Sequence, residues 1–182
     1  MATTIGEQFQ LQRGFDITKK DQRKGTVPVV SSGGISSYHD TPMANGPGVV
    51  IGRKGSLGTV HFIDGSYWPH DTTLWVKDFR GNLPRYVYYF LRGLDVRAFD
   101  SGTANPSLNR NRIHPIQVSW PSAALQQELS SNLDDLKSSV GILEELCKRK
   151  KFSLLTLKTS ILGKAFTGQL GALGSEMQQA AE

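Results

Sequence analysis

Three polar loops that contain glycine carry the side chains best suited to binding a ligand. The first loop covers residues 31–40 (SSGGISSYHD), the second residues 51–58 (IGRKGSLG) and the third residues 101–112 (SGTANPSLNRNR). Arg, Lys, Asn, Ser and Thr side chains read base edges in nucleic acids, and the same cations and hydroxyls hold phosphates. The three loops therefore predict a surface that binds a polyanion.

The candidate binding residues are the cationic, polar, aromatic and glycine positions of these loops: Ser32, Gly33, Tyr38, Arg53, Lys54, Ser56, Thr103, Asn105, Ser107, Asn109, Arg110 and Arg112. In the second loop, glycines on either side of the two cations let the backbone come close to a ligand. The same two cations fit an ordinary hairpin tip in solvent equally well. The Gly-x4-Gly-Lys-Ser/Thr pattern is absent, so these glycines predict no P-loop.

The sequence lacks the residue patterns of enzymes that act on DNA. A methyltransferase needs a glycine-rich cofactor turn and an Asn/Asp-Pro-Pro-aromatic loop, and no such tetrapeptide occurs. A metal-dependent nuclease needs clustered carboxylates, whereas the acidic residues of the first 120 positions are scattered. The spacing of His39, His61, His70 and His114 and the lone Cys147 form no zinc pattern. We therefore expect no catalytic residue, metal or cofactor on this chain.

Short strands and long loops are expected in the first 120 residues, because Gly, Pro, Asn or Asp interrupts this part every several positions. The expected strands cover residues 27–30, 48–51, 59–62, 73–76 and 116–120. Two short helices are expected over residues 84–92, with Val87, Tyr88 and Leu91 apolar, and over residues 95–99. The pattern predicts an α+β domain over residues 1–120.

A long helix is expected from Ser122, its predicted N-cap, to about Gly168, because this stretch contains no proline. Its apolar positions alternate steps of four and three, with Lys150 as the one polar interruption: Leu129, Leu133, Leu136, Val140, Leu143, Cys147, Leu154, Leu157 and Ile161. This pattern predicts a coiled coil of about 70 Å over residues 121–170 and a flexible tail over residues 171–182. The alternative is a helix that folds back over its own domain.

The positive charge is confined to the first part of the chain. Residues 1–120 contain 14 Lys and Arg against 9 Asp and Glu, whereas residues 121–182 contain seven of each. This distribution indicates that the first part meets a polyanion and the second part a protein. One cysteine, no run of about 18 apolar residues and no charged-then-apolar leader indicate a reducing, cytoplasmic location without a membrane span.

Four segments carry a resemblance to a known family: residues 157–170, residues 101–121 with Gln126, residues 67–74 and residues 52–58. As a set they resemble the specificity subunits of type I restriction-modification systems. Residues 157–170 (LKTSILGKAFTGQL) are similar to the end of that family's conserved helix. Residues 101–121, followed by Gln126, are similar to the segment before the helix. Residues 67–74 (YWPHDTTL) and the loop at residues 52–58 also fit the family pattern.

The chain departs from this family at two points. Ser122 and Leu125 stand where family members usually have a second proline and a glutamate, which concerns the cap of the helix rather than the fold. A full specificity subunit has two target-recognition domains and two long helices packed antiparallel, whereas this chain has one of each. The resemblance therefore implies a half-subunit.

The resemblance implies a non-catalytic protein that reads half of a bipartite site in double-stranded DNA. Its helix would act as a spacer, and it would pair antiparallel in a homodimer. Methyltransferase subunits would dock on the helix and supply S-adenosylmethionine and catalysis, with the restriction subunit as a further partner. Two alternatives are a stand-alone dimeric DNA-binding regulator and a degenerate fragment of a methyltransferase or nuclease.

Overall fold

The chain divides into two units, of which the first ends at Leu133 and the second begins at Asp134. The structure, a computed structural model, describes residues 2–95 and 107–169. Its strands are β1 (Ala2–Thr4), β2 (Gln10–Arg13), β3 (Val27–Ser31), β4 (Gly34–His39), β5 (Gly48–Gly52), β6 (Val60–Ile63), β7 (Trp68–Pro69), β8 (Thr73–Asp78) and β9 (Gln117–Ser119). Its helices are α1 (Ile5–Gln8), α2 (Pro84–Gly93), α3 (Arg110–Ile113) and α4 (Ala123–Phe166). The predicted α+β class is confirmed.

Two sheets carry most of the first unit. The larger sheet has the strand order β2-β8-β5-β6, and all of its neighbouring strands are antiparallel. All five residues of β5 are buried, which explains its uninterrupted apolar core of Val49, Val50 and Ile51. The smaller sheet has the order β4-β3-β7, with β3 antiparallel to β4 and parallel to β7. A third pairing joins β1 to β9.

Helix α2 closes one face of the larger sheet. Its first residue is Pro84, whose fixed φ suits the first turn of a helix. The predicted apolar positions Val87, Tyr88 and Leu91 are all buried in the main core, which also contains Ile51 from β5. A second core lies around Val30, Val50, Tyr67 and Trp75 and joins the two sheets.

The expected strands are present, with ends that differ from the predicted ones by at most two residues. The predicted helix over residues 84–92 is confirmed as α2, while residues 96–99 of the other predicted helix lie outside the described residues. The prediction that residues 31–40 form a loop is wrong, because this segment contains β4. Strand β4 lies at a sheet edge, where Ile35 and Ser36 are exposed and Ser37 is half-buried, so it lacks the apolar alternation of a half-buried strand.

Helix α4 has 44 residues, which corresponds to about 66 Å at 1.5 Å per residue. The Ser122 side chain accepts a hydrogen bond from the Leu125 backbone N–H at 3.4 Å, in agreement with the predicted N-cap. Gly168 follows the helix with a φ of +75°, a conformation that glycine adopts without steric cost. Gln126 and Ser130, in the first turns of α4, are buried within the first unit, which explains why that unit extends past residue 120.

The second unit leaves its apolar side chains exposed. Every described residue from Asp135 to Gln169 is exposed. The predicted seam begins in the first unit, at Leu129 and Leu133, and continues in the second. Its leucines, valine and isoleucine have exposed fractions between 37% at Leu129 and 60% at Leu143. No described residue covers this seam, and its pairing in a coiled coil stays a prediction.

The charges of α4 are separated along its length. Residues 123–145 contain five acidic side chains and one lysine, whereas residues 146–166 contain six basic side chains and no acidic one. Within the described residues, no helix is both long and apolar enough to span a membrane.

Candidate DNA interface

The turn between β3 and β4 lies against the loop between β5 and β6. The Ser32 backbone N–H donates to the Thr72 Oγ1 at 3.3 Å, and the Ser32 carbonyl lies 3.1 Å from Nε2 of His61. A Cβ built on Gly33 would lie 3.8 Å from the Ser56 Oγ, and one on Gly55 would lie 3.4 Å from the Ser32 Oγ. The first two predicted loops therefore form one continuous surface.

The β5–β6 loop is held at both of its ends. The backbone N–H groups of Arg53 and Lys54 donate to the Thr72 carbonyl at 2.8 and 3.1 Å. A Cβ at Gly52 would lie 2.1 Å from the Ser56 carbonyl oxygen, so a glycine is required where the loop closes on itself. This local closure fixes the direction in which Arg53 and Lys54 leave β5.

The described part of the third loop is bound to the second loop. The Leu108 backbone N–H donates to the Arg53 carbonyl at 3.0 Å, and the Leu108 side chain is fully buried in the main core. Asn109 is the N-cap of α3, and its Oδ1 accepts from the Asn111 N–H at 3.0 Å. A buried leucine therefore positions Ser107, Asn109 and α3 beside Arg53.

An open cavity of about 240 Å³ lies where these loops meet. Its lining contains three arginines, two polar side chains and two leucines: Arg13, Arg53, Arg110, Ser107, Asn109, Leu74 and Leu108. Burial lowers the pKa of Arg53, and the nearby positive charge of Arg13 lowers it further, while Asp71 opposes this effect. Arg13 donates to the Asp71 carboxylate at 2.8 Å, and Arg53 Nη1 donates to the Asp71 carbonyl at 3.2 Å. The arrangement can hold an anion.

The structure brings together the predicted residues Ser32, Gly33, Arg53, Lys54, Ser56, Ser107, Asn109 and Arg110. Two other predicted residues are not part of this group: Tyr38 is exposed on β4, five residues beyond Gly33, and Arg112 lies on α3. Thr103 and Asn105 lie outside the described residues.

Sequence reasoning missed three residues of this surface, namely Arg13, Asp71 and Thr72. Arg13 ends β2, which pairs with β8, and the Gly14 N–H donates to the Thr73 carbonyl at 3.0 Å. This pairing brings together segments about 60 residues apart in the sequence. The one available signal was the segment at residues 67–74, which fits the family pattern and contains Asp71 and Thr72.

The spacing of the histidines predicted no metal-binding cluster, but Asp16, His70 and Asp71 place one ligand atom each within 4.8 Å of one another. His70 Nδ1 lies 3.1 Å from the Thr72 Oγ1 and 3.1 Å from the Asp71 Oδ1. The Asp71 carboxylate also binds Arg13. Because the guanidinium already supplies a positive charge to this carboxylate, the donor set fits an ion pair better than a metal ion.

Strand β4 ends at His39, which is buried, and its Nδ1 accepts from the Arg23 backbone N–H at 3.0 Å. The Arg23 guanidinium binds the neighbouring Asp40 through two donors, at 2.6 and 2.9 Å, and thereby lowers the pKa of Asp40 to about 2. His114 Nε2 accepts from the Leu11 N–H at 3.0 Å, and burial lowers its pKa. His39 and His114 therefore have a structural role, as acceptors of backbone hydrogen bonds.

The fold is that of the specificity subunits of type I restriction-modification systems. It superposes on a chain of a structure entitled "Structural basis underlying complex assembly and conformational transition of the type I R-M system" with a TM-score of 0.79 and 15% identity, over 93% of this chain and 46% of the other. The S subunit from M. genitalium gives a TM-score of 0.65 with 17% identity over 80% and 41% of the two chains. The HsdS subunit from Thermoanaerobacter tengcongensis gives 0.65 with 16% identity over 93% and 45%.

Residues 2–149 match the model of the type I restriction modification DNA specificity domain, and the chain belongs to this family. It is 22% identical over 165 residues to the type I restriction enzyme EcoprrI specificity subunit of Escherichia coli. That alignment covers 87% of this chain and 41% of the relative. The chain thus spans less than half the length of the relatives it matches, and the predicted resemblance is confirmed.

Proposed function

We propose that this chain is a non-catalytic half specificity subunit that reads one half of a bipartite DNA site. The observation that carries the proposal is that the β3–β4 turn, the β5–β6 loop and the described part of the third loop meet on one cationic surface, in a chain of the specificity family. The proposed domains are a recognition domain over residues 1–120, a spacer helix over residues 121–170 and a tail over residues 171–182.

Double-stranded DNA fits this surface by charge and by donor chemistry. Residues 1–120 have a net charge of +5, and the converging loops present arginine, lysine, serine and asparagine side chains. Phosphate contacts of this kind release counterions, so DNA affinity should fall steeply as salt rises. Binding to a randomised duplex pool over a salt series tests this step, and an affinity independent of salt would contradict it.

Lys54 and Ser56 are the proposed base readers, because both are exposed at the tip of the β5–β6 loop. Lys54→Ala should lower discrimination at a contacted base pair by about 1–3 kcal/mol. Lys24→Ala, which removes another exposed lysine outside the three loops, serves as the control. Competition against duplexes with single base-pair changes measures the discrimination. An unchanged sequence preference in Lys54→Ala would remove this residue from the base-reading surface.

The exposed seam of α4 is proposed to pair with a second copy of the chain in antiparallel orientation. In this orientation the acidic residues 123–145 of one helix face the basic residues 146–166 of the other, whereas parallel pairing places like charges together. A dyad at Glu145 matches the seam positions in order, so that Leu136 meets Leu154 and Leu133 meets Leu157 of the second copy. Both the apolar pattern and the charge pattern support this register.

Cross-linking tests the orientation directly. Leu136→Cys and Leu154→Cys are made separately in a Cys147→Ser background, at side chains 59% and 57% exposed, and the two tagged variants are mixed and oxidised. Antiparallel pairing predicts disulfides between the unlike variants. In this register two copies of residue 136 would lie 18 positions apart, or about 27 Å at 1.5 Å per residue. Dominant self-linking of Leu136→Cys would indicate parallel helices, and a monomer in sedimentation would exclude the dimer.

The proposed partners are double-stranded DNA, a second copy of this chain, type I methyltransferase subunits and the restriction subunit. S-adenosylmethionine and catalysis belong to the partners in this proposal, because the chain lacks the sequence patterns of a methyltransferase and of a nuclease. Such an assembly acts on DNA in the cytoplasm. The test is to assay the chain with S-adenosylmethionine or Mg²⁺, with and without the methyltransferase subunit. Methyl transfer or cleavage by the isolated chain would contradict the proposal.

A further inference from the structure

The cavity between β2, the β5–β6 loop and α3 collects three guanidinium groups around one opening. Arg13, Arg53 and Arg110 line it together with Ser107 and Asn109. We propose that this cavity seats a phosphate of the DNA backbone, and that it therefore positions the duplex without reading a base. This inference rests on the proposed function and adds to it the chemical group that the cavity binds.

The charges around the cavity are unbalanced. Among the residues that the structure describes, its lining includes three cations and no carboxylate. The carboxylate that offsets them belongs to Asp71, which binds Arg13 at 2.8 Å. Burial and the positive charge of Arg13 both lower the pKa of Arg53, so the two guanidinium groups repel each other across a partly desolvated space. An anion between them removes this repulsion, whereas a neutral base edge does not.

The donor pattern of the cavity also favours a phosphate. Asn109 Oδ1 accepts the Asn111 N–H within the cap of α3, which leaves the amide Nδ2 as the group that can bind a ligand. Arg53 is fixed by its bond to the Asp71 carbonyl and keeps its other guanidinium donors. Arginines have no acceptor, so the side chains around the cavity mainly donate. Phosphate oxygens only accept, whereas most base edges offer a mixture of donors and acceptors.

A guanine is the one base edge that presents two acceptors to an arginine in the major groove. The loss of a guanine contact and the loss of a phosphate contact affect DNA binding differently. Losing a guanine contact relaxes the preference at one base pair, while losing a phosphate contact weakens binding equally on all sequences and lowers the salt dependence.

The main variants are Arg13→Gln and the double variant Arg13→Gln with Arg53→Gln. Arg23→Gln is a matched control, because Arg23 is also an exposed arginine bound to one aspartate, with a side-chain exposure of 66% against 55% for Arg13. Affinity is measured on a duplex selected from a randomised pool and on a scrambled duplex, between about 50 and 200 mM salt. Urea unfolding of each variant verifies that the domain is folded.

We expect the double variant to lower the slope of log affinity against log salt by about 0.9, which is the loss of one phosphate contact. Over this salt range the wild-type affinity should then fall about 3-fold more than that of the double variant. The loss should be equal on the selected and the scrambled duplex, and Arg13→Gln should show a smaller loss of the same kind. Arg23→Gln should keep the wild-type slope.

A free phosphate ion has the same chemistry as the DNA backbone, so a second arm separates the two sources. Binding is compared in sodium phosphate and sodium chloride of equal ionic strength. If inorganic phosphate occupies the cavity, it will weaken DNA binding by the wild type more than DNA binding by the double variant. If the wild type binds inorganic phosphate but the double variant keeps the wild-type salt slope for DNA, the assignment to DNA is overturned.

The remaining outcomes also decide between explanations. A loss confined to duplexes with one particular base pair assigns the cavity to a base edge and overturns the phosphate seat. An unchanged slope of log affinity against log salt in a folded double variant also overturns the phosphate seat. If the wild-type chain, in its dimeric state, binds no DNA at all, the proposed function fails before this inference is reached.

Discussion

Gln126 should contribute several kcal/mol to the stability of the first unit. Its side chain is 2% exposed. Its Oε1 accepts the backbone N–H of Leu83, the N-cap of α2, at 3.0 Å, and its Nε2 donates to Asn82 Oδ1 at 2.7 Å and to the Pro121 carbonyl at 3.1 Å. In a capping box a Glu or Gln at the third helical position accepts the N-cap backbone N–H, and α2 has Tyr86 at this position. Gln126 therefore supplies this acceptor from 43 positions away.

Removing this side chain leaves the Leu83 N–H without its acceptor. An unsatisfied, partly buried donor costs about 1–3 kcal/mol, and the lost methylene adds about 0.8 kcal/mol. We therefore expect Gln126→Ala to lower the free energy of unfolding by about 2 to 4 kcal/mol. Gln127→Ala is the control, because this neighbouring glutamine is exposed and its loss should stay within about 0.5 kcal/mol.

Gln126→Glu tests the donor half of the network. The new carboxylate still accepts from Leu83 but places an acceptor against Asn82 Oδ1, which also accepts from Trp120 Nε1 at 2.7 Å. Asn82 cannot turn its amide without losing its Nδ2 bond to the Gln8 carbonyl at 2.6 Å. Burial raises the pKa of such a carboxyl above its unfolded value, so this variant should be most stable at low pH and lose stability as pH rises.

Urea unfolding followed by tryptophan fluorescence measures these changes, because Trp120 belongs to the same network. The slope of the unfolding free energy against urea should stay constant across the variants. A loss below about 1 kcal/mol for Gln126→Ala would refute the argument. An equal loss for Gln127→Ala would refute it as well.

Two further predictions concern the loops and pH. Gly52→Ala should lower DNA affinity in a salt titration, because its Cβ would lie 2.1 Å from the Ser56 carbonyl oxygen; Gly65→Ala, where nothing lies within 4 Å, should have no effect. Burial lowers the pKa of His114 in the folded state, so its contribution to stability is complete above the unfolded pKa of about 6.5 and is lost as pH falls through the lower folded value. His114→Gln keeps an acceptor for the Leu11 N–H and should weaken this pH dependence of the unfolding midpoint. An unchanged pH dependence in this variant would contradict its assignment to His114.

The elements that the sequence predicted are those with a strong local pattern. Strand β5 is an uninterrupted buried apolar run, and α2 combines Pro84 at its start with buried residues at helical spacing. Helix α4 has a long pattern without proline. By contrast, β4 is an edge strand with exposed polar residues, and α1 has only four residues and depends on the capping box between Thr4 and Glu7. Such short or edge elements form because their neighbours pair with them, and a local pattern does not reveal this.

The candidate site was predictable as loops but not as an assembled surface. Composition identified Arg53, Asn109 and Arg110, because cations and amides in glycine-containing loops are typical of nucleic-acid binding. Arg13 and Asp71 were missed because the pairing of β2 with β8 brings them together. Their types alone do not distinguish them from other surface charges. The seam of α4 was predicted from its spacing, while the separation of its charges into an acidic and a basic part adds the argument for orientation.

The most direct test of the central claim is the methylation pattern that this chain confers. The full chain is co-expressed with a type I methyltransferase subunit, and modified adenines and cytosines are mapped across the host DNA. We expect methylation of one interrupted, inverted-repeat sequence that requires this chain and disappears in its absence, since two antiparallel copies would read two identical half-sites. An unchanged methylation pattern with and without the chain, or a site that is a single uninterrupted block, would contradict it.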